Sequence, residues 1–390
     1  MSARQRPLSH FSTKRSRQAP ARTESTLLEL QAAGDLLVRT AGEFRTLVAR
    51  EGLEQAFAST HVLAVADAGF TDQFSIHLAL GPSDPPIRFQ RVRLDGVDAL
   101  CGSGSGELVL PAEGAPILGA LLNGRSVRLA ASGAAGTLHP RDELHTTLRL
   151  DQIGVARLVL HRAIAENAIV AVSSAPGLTP TGWGPLLGGL GSALYGCAGA
   201  GSIGFTMPGL AQLGPGSPVL VAGGIGWVVG AGGAHQPGVP RSPLGHALAP
   251  GASAAVSVDL HGLDPAWLRA CRFEGHGAGL LVATAAPVAL LTAAMARQAA
   301  AGADRLVAPV IDLGIPRRLK PMLDRVSYAD LERGRFVLQG RTLRCAPAFS
   351  PRLAEAFAEH LALELREGRF PLRQPLRPLG SRPTLIPLEP

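Results

Sequence analysis

The segment Gly81-Pro82-Ser83-Asp84-Pro85-Pro86-Ile87-Arg88 gathers polar side chains on a stiff support. Two consecutive prolines hold the backbone extended, so Ser83 and Asp84 stand beside the start of a strand, ready to grip a polar ligand group; a plain structural turn explains the same residues. Farther on, the apolar run Pro218 to Ala222 ends in Gly223-Gly224-Ile225-Gly226. This resembles a dinucleotide loop only superficially, because the spacing is not GxGxxG and no acidic residue follows at the distance a ribose contact needs. A tight turn that lets backbone pack or touch a ligand is the reading. His235 lies among small residues, Gly232 to Pro237, that could admit a ligand. The loose pairs His139 and His145, and His235 and His246, lack helical i, i+4 spacing and thiolate neighbours, so no metal site is expected.

Four cysteines, Cys101, Cys197, Cys271 and Cys345, are too widely spaced for a zinc knuckle and suggest no disulfide framework. A reducing compartment follows, and a cytoplasmic location is expected. The net charge of +7 suggests nucleic acid until it is located. Arg4, Arg6, Lys14, Arg15, Arg17 and Arg22 all precede the first acid, Glu24, which leaves the rest of the chain nearly neutral and without pull on phosphate. The opening residues, 1–26, read as a disordered basic tail, with no apolar run long enough for a secretory signal.

These residues must be carried by a body that buries a large core, since 46% of 390 residues are hydrophobic. Thr26 to Phe57 has helical spacing, interrupted at Gly52. Short strands are expected at His61 to Ala66, Ser75 to Leu80, Ile87 to Leu94, Ser126 to Ala130 and Leu144 to Leu150, with a crossover helix at Ala112 to Leu122. Between Glu166 and Arg241 there is no Asp, Glu, Lys or Arg, so much of that run must pack inside or line a sheltered cavity. Ala254 to Leu260 and Leu306 to Asp312 read as strands, and Pro287 to Ala301 as an alanine-rich helix. The uncharged stretch Gly277 to Met295 is a buried core segment rather than a membrane span, because Pro287 interrupts it and no aromatic anchors flank it. Ser327 caps a short helix, Phe336 to Cys345 forms a hairpin, and Ser350-Pro351 starts a helix to about Glu367. The fold class is therefore mixed α/β (α+β): a glycine-rich mixed sheet with flanking helices and a C-terminal hairpin plus helix. One domain over 27–370 is followed by an extended proline-rich tail, 371–390.

Taken together, several segments resemble the homocysteine biosynthesis family of archaea and anaerobic bacteria. They include Ser83-Asp84-Pro85-Pro86-Ile87, Leu94-Asp95-Gly96-Val97, Gly124-Arg125-Ser126-Val127-Arg128-Leu129, His139-Pro140-Arg141, Asn167 to Ser174, Gly223 to Trp227, His235-Gln236-Pro237, Val239-Pro240-Arg241, Pro265 to Arg269, Ala308 to Asp312 and Val326 to Ala329, and they span Leu36 to Leu379. The resemblance implies incorporation of sulfur into L-aspartate semialdehyde to form homocysteine, a small carboxylate-bearing substrate, no directly bound cofactor and a ferredoxin-type iron–sulfur partner, with neither nucleic acid nor membrane involved. The regulatory CBS modules of some members are not expected here. Substrate would be held by Ser83, Asp84, Arg88, His139 and Arg141, in a pocket shaped by Gly223, Gly224 and Gly226 with His235 nearby. Family chemistry also implies two cysteines, and the matching positions hold Asp72 and Leu138 or His139. Neither a carboxylate nor an imidazole carries a persulfide, so Cys101, just beyond the resembling strand, is the candidate replacement thiol and Cys197 a second. The other outcomes are thiol-free chemistry in the same pocket, or a non-catalytic binding or assembly role.

Overall fold

The computed structural model describes residues 22–102 and 106–388, so the expected tail at 1–21 and residues 389–390 lie outside the described residues. Within 22–26 the chain is already ordered, since Thr23 caps a helix that starts at Glu24. Helices below are numbered α1 (Glu24–Ala33), α2 (Ala41–Glu51), α3 (Leu53–Ala58), α4 (Ala115–Leu122), α5 (Ile203–Thr206), α6 (Ala293–Ala299), α7 (Tyr328–Glu332) and α8 (Pro351–Arg366).

Most strands join one 14-stranded, largely antiparallel sheet. At one end, Val38–Thr40 pairs in parallel with Val62–Thr71, which pairs antiparallel with the long strand Gly277–Ala289. Inward from there run Pro218–Val221, Gly224–Ala231, Ser253–Asp259, Val155–Ala165 and Phe74–Ala79. A six-stranded mixed sheet packs beside it, with Val170–Val172 parallel to Val307–Asp312 and Ala193–Tyr195 parallel to Arg341–Pro347. The mixed α/β class expected from the sequence is the one observed.

Strand periodicity divides the core. Along Val62–Thr71, Val62, Ala64, Ala66 and Ala68 face α8, whose Phe357, Leu361 and Leu365 are fully buried against them. Leu63 and Val65 point the other way, into the main core with Phe44, Ile76 and Leu160. A strand covered on both faces loses the polar alternation that marks a surface strand, and Gly277–Ala289 is the same case. Its alanines let α8 approach closely, while Pro287 takes a place in the ladder opposite Ala64. The expected helix at Pro287 to Ala301 is thus confined to α6, because burial between layers overrides alanine's helix propensity. The expected helix over Thr26 to Phe57 is likewise split: Gly34 closes α1 with φ 78°, and Val38–Thr40 adds a strand before α2.

The start of α2 is a capping box. Thr40 Oγ1 accepts from Glu43 N (3.2 Å) while Glu43 Oε2 accepts from Thr40 N (2.7 Å). Thr40→Ala is expected to cost about 1 kcal/mol in a urea titration, and a cost near zero would show that the box is not a stability determinant.

Candidate functional site

The strand Val62–Thr71 reads apolar except at Asp67 and its last residue, Thr71, and Gly277–Ala289 apolar except at Thr284; the register sets Asp67 and Thr284 opposite each other. Both line a cavity of about 260 Å³ with Arg162, Asn167, Trp183, Cys197 and, at the rim, Asp72 and Gln73. Arg162 reaches it through an irregularity. Leu160 pairs with Val256 but Ile164 with Ala254, so three residues, His161 to Ala163, bulge opposite Ala255. Such a bulge re-aims a side chain that an even ladder would direct elsewhere. Cys197 enters from the six-stranded sheet side, just beyond Ala193–Tyr195. Gly196 before it leaves room for the indole of Trp183, since a Cβ there would fall 2.6 Å from Trp183 Cζ2.

Electrostatically the cavity is unbalanced. Arg162 Nε is buried without a hydrogen-bond partner among the described residues, and burial lowers the guanidinium's pKa. A buried charge normally has an ionic or hydrogen-bonding partner, so this group is set up for an anion brought by a ligand. Asp67 is half-buried and opens to the cavity; desolvation pushes its carboxyl up to about 7, against the hydrogen bond from Ile203 N (3.4 Å). Burial first, and the Asp67 charge second, push the Cys197 thiol up to about 11. At neutral pH the cavity therefore offers a half-protonated carboxyl, a neutral thiol and a cation without an ion-pair partner among the described residues. At the rim Asp72 Oδ2 and His276 Nε2 are 2.8 Å apart. Asn167 is fully engaged: it donates to Ala247 O and Val307 O and accepts from Tyr328 Oη and Ala168 N.

The Asp67 carboxyl implies a stability change with a definite sign. Its folded value near 7 lies above the ordinary 3.8, so between those pH values the folded chain keeps a proton that the unfolded chain has released. The contribution is complete below about pH 4 and is lost as pH rises through 7. Unfolding free energy is expected to fall between pH 5 and pH 8, by less in Asp67→Asn; equal falls in both proteins would assign the slope to other groups.

Of the residues expected from the sequence, Asp72 and Cys197 lie at this cavity. Ser83, Asp84, Arg88, His139 and Arg141 are not among its lining residues. Arg141 is joined to the turn it was paired with: its Nε donates to Pro85 O (3.2 Å) and its Nη2 to Asp84 O (3.0 Å), so loop and turn form one exposed clasp. His139 is half-buried nearby in the loop. Cys101 ends the strand Val97–Cys101, half-buried, its thiol pushed up by burial, and it does not line the cavity. Gly223 sits in a two-residue hairpin turn with φ 88°, and added Cβ atoms at Gly223 and Gly224 would press on Asp264 and Gly262. Gly226 is packed against Val256. His235 is buried and accepts from Ser253 N at Nδ1 (3.0 Å). Gly223, Gly224, Gly226 and His235 are not among the residues that line the cavity.

Asp67, Arg162, Thr284 and Trp183 were not singled out from the sequence. The available signal was a lone charged or polar residue inside an otherwise apolar strand, as in Val-Leu-Ala-Val-Ala-Asp67-Ala. Among the described residues no three metal-ligating side chains cluster, and no helix is long and apolar enough to cross a membrane.

The chain is similar to the L-aspartate semialdehyde sulfurtransferase of Methanosarcina acetivorans, 26% identical over 358 residues that cover 89% of this chain and 70% of that protein. It is similar to the same-named protein of Methanocaldococcus jannaschii, 26% identical over 375 residues, 89% of this chain and 71% of the relative. No solved structure matches significantly. The model of the family described as "Homocysteine biosynthesis enzyme, sulfur-incorporation" matches residues 36–372, and the chain belongs to that family.

Proposed function

We propose that the chain incorporates sulfur into a small carboxylate-bearing aldehyde of the kind named for its relatives, L-aspartate semialdehyde, within the cavity that holds Asp67 and Arg162. The observation that carries this is Arg162, which lines a cavity sized for a small metabolite and whose buried Nε has no hydrogen-bond partner among the described residues. Arg162 takes the substrate carboxylate through its planar fork of donors. Asp67, titrating near 7, exchanges a proton with the aldehyde oxygen, which matches the driving force that general acid–base catalysis needs at neutral pH.

The sulfur nucleophile on this reading is a delivered sulfide rather than a protein persulfide. Cys197 holds its proton to about 11, so transfer of that proton to Asp67 is uphill at neutral pH. Sulfide adds to the carbonyl carbon, the C=O bond becomes C–O–H with a proton from Asp67, and water departs as a thiocarbonyl forms. Conversion of that thiocarbonyl to a thiol consumes two electrons, supplied one at a time by a ferredoxin-type iron–sulfur partner, and two protons, which come from solvent by way of Asp67. Asp72, at the position where the resemblance implied a cysteine, and His276 hold the rim.

The test supplies purified protein with L-aspartate semialdehyde, sulfide and a low-potential reductant, and measures homocysteine. Product is expected, with the rate unchanged in Cys101→Ser and reduced less than tenfold in Cys197→Ser. Loss of product in Cys101→Ser would make that thiol the sulfur carrier. No product from folded protein with a ferredoxin present would favour a binding or assembly role.

A further inference from the structure

A second cavity, of about 710 Å³, lies between α2, the start of α8 and the six-stranded sheet, and neither the family match nor the proposed reaction uses it. Its wall is mostly small and apolar, with Ala41, Ala64, Ala66, Ala354 and Ala358 beside Phe349. Two opposite charges interrupt it. Arg45 is half-buried; one Nη1 hydrogen donates to Ala200 O (2.7 Å), and it forms no ion pair among the described residues. Glu332 stands exposed at the mouth, also without an ion pair among the described residues. Arg45 and Glu332 are close enough to feel each other's charge, and burial shifts both toward their neutral forms. A sheltered cation and a carboxylate that face one space without touching are matched by a molecule with both charges at one end. Glu355 adds a second acid at the mouth.

We propose that this cavity is a second ligand site for a zwitterionic α-amino acid with a compact apolar side chain, its carboxylate on Arg45, its ammonium on Glu332 and its side chain among the alanines. The volume falls within the range of small-molecule sites. Ala198 and Phe349 line both this cavity and the one holding Asp67, so the two cavities adjoin.

Calorimetric titration of the full chain with L-norleucine and L-methionine tests this. Binding is expected, weakened about tenfold or more for L-norleucinol, which lacks the carboxylate, and for N-acetyl-L-norleucine, which lacks the ammonium. Arg45→Gln is expected to weaken L-norleucine similarly, Arg45→Lys to restore part of the loss, and Arg162→Gln to leave it unchanged. If Arg45→Gln does not fold, Glu332→Gln and the two analogues carry the decision. Equal affinity for L-norleucine and L-norleucinol, binding lost in Arg162→Gln but kept in Arg45→Gln, or no binding of either amino acid would overturn the assignment.

Discussion

Arg162→Met is expected to lower kcat/KM for the aldehyde by about a hundredfold or more while leaving the protein as stable as before, or more stable by on the order of 1 kcal/mol. The two effects have one cause. Arg162 sits in a bulge of a strand whose neighbours Leu160 and Ile164 are buried in the main core, and its Nε has no partner among the described residues. Holding that charge there costs solvation that the folded protein alone does not recover. Methionine has nearly the same reach and no charge, so it removes the cost together with the anion site. Steady-state kinetics and urea unfolding on the same preparations distinguish this from a structural role. A variant several kcal/mol less stable with unchanged KM would show that Arg162 holds the fold and does not hold substrate.

The opposite behaviour is expected at Arg241. Glu166 has no solvent exposure, and its carboxylate accepts from Arg241 Nη1 (2.5 Å) and Nη2 (2.9 Å), from Gly209 N (2.8 Å) and from Ala252 N (3.2 Å). Arg241→Ala strands a buried carboxylate on two backbone donors, at a cost of about 3–5 kcal/mol by urea unfolding. Replacing both partners, as Glu166→Gln with Arg241→Met, is expected to cost less than Arg241→Ala alone, because no buried charge then lacks a counterion. Additive losses would mean that each residue acts through separate contacts.

That pair also shows how far one-dimensional reasoning reaches. Glu166 and Arg241 were visible as the charges that bracket a long uncharged run, and the run had to be sheltered because water would otherwise meet no charged group along it. That they bond to each other and close the run into a loop is a tertiary fact. The clasp of Arg141 on the Ser83 to Pro86 turn is a partial case: the family resemblance grouped the two segments, and only the fold shows that they join through backbone carbonyls. The glycines at Gly223 to Gly226 read correctly as a tight turn, but a turn looks the same in sequence whether it touches ligand or the neighbouring loop.

Local chemistry determined the punctuation of this chain: the caps at Ser327 and Ser350, the short hairpins and the end of α1 at Gly34 follow from side-chain oxygens and permitted φ angles within a few residues. Mean composition determined that a large core exists. Register and layering were decided only in three dimensions, because a strand buried on both faces carries no alternation to read, and alanine fits helix and sheet alike. The cavity belongs to that second class: Asp67 meets Thr284 through strand pairing, Arg162 arrives through a bulge, and Cys197 follows a strand of the other sheet. Residues so distant along the chain become neighbours through hydrogen-bond register and burial, and burial also moves their proton affinities to where chemistry at neutral pH can use them.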